Sequence, residues 1–185
     1  MSEESGAPGV RSAMAWLSAA AAEPRACRRA WERDPLGVVL LPAGRRWDVL
    51  VLPAGIGHAT LEVLSGVAVP TGPVLADRDA RVGFFVPPGT AGRWVGTGVR
   101  PAGRGSWIVV PHPGRISGGV HWLVPPDGSG LLTDPGVLEL AMHEAAARVR
   151  ITGLGAWAGG ARPRAEPRPE PSPEPRPGPE PETEG

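Results

Sequence analysis

The chain has 185 residues, and its 19 basic residues, all arginine, balance 19 acids to a formal net charge of zero, so its overall charge selects neither nucleic acid nor an acidic membrane. A single cysteine, Cys27, excludes an internal disulfide and a cysteine metal cage. No run of 18 apolar residues occurs, so a cytoplasmic protein without a membrane span is expected.

The length suits one core with tails. The expected organisation is a flexible N-terminus over 1–11, an α+β domain over 12–152, and a disordered tail over 153–185 in which proline alternates with arginine and glutamate. Charge is uneven along the chain. From Arg78 to Arg115 six arginines face one acid, Asp79, whereas beyond Ala161 six glutamates face four arginines. Lysine, asparagine, glutamine and tyrosine are all missing, which reads as GC-rich coding bias. The arginines are still planar forks suited to phosphate.

In chain order, SAMAWLSAAAAEPRACRRAWERDP predicts two short helices, because Pro24 suits a first helical turn and would break a continuous helix. Cys27 and Trp31 share a face of the second. Gly37 to Leu41 and Trp47 to Leu52 read as strands, joined by PAGRR as a hairpin loop or a short crossover. Ile56, Thr60, Leu61 and Leu64 fall at helical spacing, with Gly66 as the stop. Pro73 to Ala76 and Arg81 to Val86 flank the acid-rich turn Asp77-Arg-Asp-Ala80 as a hairpin. Gly89 to Trp94 predicts a helical turn. The stretch GSWIVVPHPGRISGGVHWLV reads as a hairpin of strands 107–110 and 120–124. Asp134-Pro135 opens a last helix that runs to about Arg150. The sum is a mostly antiparallel sheet with flanking helices.

Three segments carry a family resemblance. Val99 to Pro113, VRPAGRGSWIVVPHP, the strand SGGVHWLV from Ser117, and Trp47 to Leu64 follow one another in an order similar to the N-terminal domain of bifunctional DNA primase/polymerases, the prim-pol branch of the archaeo-eukaryotic primases. The likeness spans about Trp16 to Ala147. It implies a prim-pol fold and a site where paired acids on one strand, a histidine on a later strand and a third acid hold Mg²⁺ or Mn²⁺ for nucleotidyl transfer. At the corresponding places this chain has Val49-Leu-Val-Leu-Pro53, Val82 or Gly83, and Gly98. Aliphatic carbon cannot ligate a hard cation. The implied protein is a catalytically degenerate prim-pol-like domain, with no cofactor expected.

Two other readings stay open. Relocated groups, Asp48, Asp77, Asp79 and His121, could rebuild a minimal metal-dependent primase/polymerase. Against that, acids in turns bond their own backbone, and His121 lies after the segment that should follow the family histidine, which favours a structural role at a hairpin edge. Alternatively, the chain is a small protein-interaction module. The binding trace consists of Arg78, Arg81, Arg93, Arg100, Arg104 and Arg115, with Trp94 and Trp107 as stacking platforms for a nucleic acid or nucleotide. Zinc spacings, a phosphate loop and a serine nucleophile elbow are all missing.

Overall fold

The computed structural model describes residues 8–78, 80–96 and 98–159, with side chains described between 9 and 150. The proline-rich tail and Asp79 lie outside the described residues. The elements run α1 (Pro8–Ser18), α2 (Pro24–Arg33), β1 (Val38–Pro42), β2 (Asp48–Pro53), α3 (Ala54–Gly66), β3 (Val74–Asp77), β4 (Arg81–Val86), β5 (Arg100–Ala102), β6 (Trp107–Pro111), β7 (Val120–Val124) and α4 (Pro135–Gly159). An α+β architecture with antiparallel sheets is what the hydrophobic patterning predicts.

The strands form two sheets. Five of them, in the order β5-β2-β4-β3-β7, make the main antiparallel sheet, and β1 with β6 makes a separate two-stranded ribbon. Each face of the main sheet has its own core because successive side chains on a strand point to opposite sides. Leu50, Leu52, Val82, Phe84 and Val86 pack under α3 and α4 with Val63, Leu64, Leu138 and Ala145. Val49, Leu75, Phe85 and Trp122 face the other way and join Leu17, Trp31, Leu41 and Trp47 from α1, α2, β1 and the approach to β2. Phe85 lies between two indoles, with ring centroids 4.6 Å from Trp47 and 5.6 Å from Trp122.

Local chemistry sets the helix ends. Pro24 occupies the first turn of α2, whose buried residues are Cys27 and Trp31, one turn apart. Burial pushes the Cys27 thiol above its usual range, against the opposing pull of Arg28, so it behaves as a small apolar side chain. Asp134 caps α4, its Oδ1 accepting the Val137 N–H at 2.9 Å. Gly57 lets α3 lie directly on the sheet, since a Cβ there would stand 2.4 Å from Val82 Cβ.

Four expectations need correction. Helix α1 begins at Pro8, inside the stretch expected to be loose, because proline is well placed in a first turn. Helix α4 continues to Gly159, since glycine inside a helix costs only about 1 kcal/mol and is no obligatory stop. In place of one helical turn over Gly89 to Trp94, residues 87–93 form two successive turns, Thr90 N–H to Pro87 C=O and Arg93 N–H to Thr90 C=O.

The fourth correction is the largest: β6 and β7 are not a hairpin. β6 pairs with β1 and β7 with β3, in different sheets. The segment between them folds on itself. Arg115 N–H reaches the His112 carbonyl at 2.9 Å, its guanidinium donates to the carbonyls of Gly118 and Leu36, and Trp122 N–H returns to the Arg115 carbonyl at 2.9 Å. Arg115 thus redirects the chain from ribbon to sheet. By the same topology PAGRR is a crossover, because β1 and β2 do not pair.

Candidate functional site

Strand register places one set of side chains on the ribbon side of the main sheet. Val51 stands opposite both Gly83 and Arg100, Pro53 opposite Arg81, and Arg81 opposite Asp77. Directly paired residues share a face. Val49, Val51, Leu75 and Gly83 therefore floor a cleft of about 440 Å³, with Arg81, Arg100 and Asp77 along the main sheet and residues 105–109 as the opposite wall. Gly83 deepens the floor, since a Cβ there would come within 2.9 Å of Val49 Cγ1.

The electrostatics of the cleft are unusual for this chain. Asp77 is its one carboxylate among the described residues. Although Asp77 and Arg81 are directly paired across β3 and β4, the Arg148–Glu144 contact on α4 is the single ion pair among the described residues. Arg81 and Arg100 hold no hydrogen bond or ion pair there either, so both guanidinium forks are open to a ligand. Trp107 lies beside them on β6, its side chain 62% exposed.

The predicted residues divide accordingly. Arg81, Arg100 and Trp107 come together, with Asp77. Arg104 instead lines a second pocket of about 640 Å³ with Asp48 and Gly103. Arg115 is spent on loop carbonyls. Trp94 packs against the α3–α4 core, Arg93 sits in the turn before it, and Arg78 takes φ 37° at the β3–β4 turn. Neither Arg78 nor Arg93 lines the cleft.

The described members of the relocated metal set, Asp48, Asp77 and His121, do not come together. Asp48 pairs with Val86 and Asp77 with Arg81. Five residues of β4 therefore separate them, about 17 Å at strand rise. Asp48 is 1% exposed. Its Oδ2 accepts the Ala91 N–H at 2.8 Å, tying the turns after β4 to β2, while Oδ1 is buried with no protein partner. His121 pairs with Ala76, while its neighbours Val120 and Trp122 pair with Asp77 and Leu75, so His121 projects from the face opposite the cleft floor. Its Nδ1 lies 3.1 Å from the Gly119 carbonyl.

A divalent ion needs about six oxygen donors. The cleft floor offers valine, leucine and glycine, and no three His, Cys, Asp or Glu side chains cluster among the described residues. The described residues of the cleft do not fit Mg²⁺ or Mn²⁺. No helix among the described residues is long and apolar enough to cross a membrane.

Reading the sequence missed Leu75 as a cleft residue, did not tell Val49 and Val51 from Leu50 and Leu52, and left Val82 and Gly83 as equal alternatives. Register separates those two: Val82 joins the helix-side core and Gly83 lines the cleft. The available signal was alternation from Val49 and Val51, but Leu50 and Leu52 are equally apolar and mask it.

Near the end of β6, burial lowers the His112 pKa from its usual value near 6.5. Its Nδ1 accepts the Gly114 N–H at 3.1 Å, which the neutral ring alone can do. A depressed histidine contributes stability that is full above pH 6.5 and is lost as pH falls through the folded-state pKa. Urea unfolding at pH 7.5 and pH 5.5 should show a smaller pH dependence in His112→Ala than in the wild type.

Comparison with protein-family models, with curated proteins and with solved structures yields no match.

Proposed function

We propose that this chain is a prim-pol-shaped domain that binds single-stranded nucleic acid without metal-dependent nucleotidyl transfer. The observation that carries the proposal is the pair of unpartnered guanidinium groups, Arg81 and Arg100, beside exposed Trp107 in one cleft with a single described carboxylate. Arginine forks engage phosphate oxygens in pairs, and an exposed indole stacks a base whatever its identity. A cleft of about 440 Å³ falls in the range that admits one nucleotide-sized group.

The order of segments similar to prim-pol domains supports the same reading. The stretch Val49 to Pro53 and either Val82 or Gly83 stand where that family's acids and histidine would be expected, and of these Val49, Val51 and Gly83 line the cleft. Scaffold and phosphate-binding cations would thus persist while the oxygen donors are replaced by carbon. In this reading the strand is held by charge and stacking, and no bond is made or broken.

Fluorescence anisotropy with a labelled 12-nucleotide single strand at low salt tests this. Saturable binding that weakens steeply with added salt is expected. An unchanged signal, or equal preference for blunt duplex, counts against the proposal, because base stacking on Trp107 requires an unpaired base.

A further inference from the structure

Among the described residues each strand of the ribbon has one unpaired edge, and residues 105–109, which include the start of β6, line the cleft. Ala43 N–H donates to the Ser106 carbonyl at 2.9 Å, which fixes the alternation along β1 and β6. Leu41 with Ile108 and Val39 with Val110 are then the hydrogen-bonded pairs. Pro42 and Pro111, which lack an N–H, both fall at non-bonded positions, as the alternation requires. Trp107 and Val109 accordingly turn their N–H and C=O groups away from β1, and β6 has no second partner strand among the described residues. The wall of the cleft is an open strand edge, with donors and acceptors in alternation.

The tail has a matching pattern. Between Pro167 and Pro181 every odd-numbered residue is proline, eight in all, and every even-numbered residue is not. No two of these prolines are three apart, so the spacing read by polyproline-helix grooves is missing. Proline and the residue before it both favour extended backbone. In an extended chain alternate residues turn their N–H groups to opposite sides, so every missing N–H would lie on one edge. The other edge would carry a complete row of donors and acceptors.

We propose that a short stretch of the alternating segment 167–181 docks in cis as an added antiparallel strand on the free edge of β6, which is five residues long. In that orientation the non-proline residues pair with Trp107 and Val109 and share their solvent-facing side. The proline rings fall on the side of Ile108, which packs on the core that includes Val49 and Leu75. Rings thus cover the apolar floor. With Arg176 opposite Val109 and Gly178 opposite Trp107, the 16 residues from Gly160 to Pro175 can span roughly 53 Å, more than the width of about 40 Å expected for such a domain. Nucleic acid is the poorer match for this particular edge, because it offers no alternating amide ladder.

The test is amide hydrogen exchange, resolved by NMR, on the full chain and on a full-length variant in which each of the seven residues between the prolines, Arg168 to Glu180, is changed to proline. That variant keeps an extended tail and removes the donors that must face β6. In the wild type the Trp107 and Val109 amides should exchange at least about tenfold more slowly than in the variant, as for a strand docked some nine-tenths of the time. The difference should be independent of protein concentration. Equal exchange in the two proteins overturns the proposal, and so does protection that grows with concentration, which would place the tail on a second copy.

Discussion

Phe85→Ala should lower the unfolding free energy by about 3–5 kcal/mol, the range for emptying a buried aromatic site. Phe85 is fully buried at the centre of the ribbon-side core, in tilted contact with Trp47 and Trp122. Those contacts join β4 to the start of β2 and to β7. The void could not refill easily, because two of its walls are large fused rings, Trp47 and Trp122, on separate segments. A domain of this size has only about 5–15 kcal/mol of stability in total, so the variant should unfold at a far lower urea concentration or fail to accumulate. Trp107→Ala, at an exposed position, should leave the midpoint nearly unchanged. A loss below about 1 kcal/mol for Phe85→Ala would mean that the ribbon does not pack on the sheet as described.

Arg81→Ala combined with Arg100→Ala should weaken single-strand binding by about 100-fold or more, since one hydrogen-bonded charge contributes roughly 1.5–3 kcal/mol. Both side chains are exposed and engage no acid among the described residues, so fold stability should change little. The logarithmic salt slope should fall by about 1.4, corresponding to two phosphate contacts on a single strand. Arg93→Ala and Arg115→Ala provide the contrast. The first lies outside the cleft and the second is bound to loop carbonyls, so neither should reduce the slope. An equal loss for all four arginines would indicate diffuse attraction in place of a site.

Local signals explain how much of this was legible. Pro24, the Asp134-Pro135 pair and the turn between β3 and β4 each act within a few residues, and the elements they define stand where the patterning places them. Strand partners were less accessible. Nothing within GSWIVVPHPGRISGGVHWLV says that Arg115 will turn the chain into another sheet, because its decisive contact is with Leu36, 79 residues away in sequence. β5 was missed for a related reason: it is three residues long, includes Pro101, and exists only as an edge beside β2.

The site was half legible. An arginine-rich stretch with tryptophans marks the region, but which arginines meet depends on register, and two of the six meet in the cleft. The floor was hidden because β2 is covered on both faces. Val49, Leu50, Val51 and Leu52 form one apolar run in which the period-2 signal vanishes. Asp48 looked like a ligand because an acid beginning a strand is conspicuous. Its hydrogen bond to Ala91, 43 residues on, gives it a structural task that no local pattern announces.

The central proposal is that Arg81, Arg100 and Trp107 hold a nucleic-acid strand in a cleft whose described residues lack the oxygen donors of a catalytic metal. Primer extension with purified full-length chain, primed template, deoxynucleotides and Mn²⁺ is its most direct test. The account predicts binding of the template strand that EDTA leaves unchanged, with no extended product. Templated extension that disappears in Asp77→Asn, with single-strand binding retained, would contradict it.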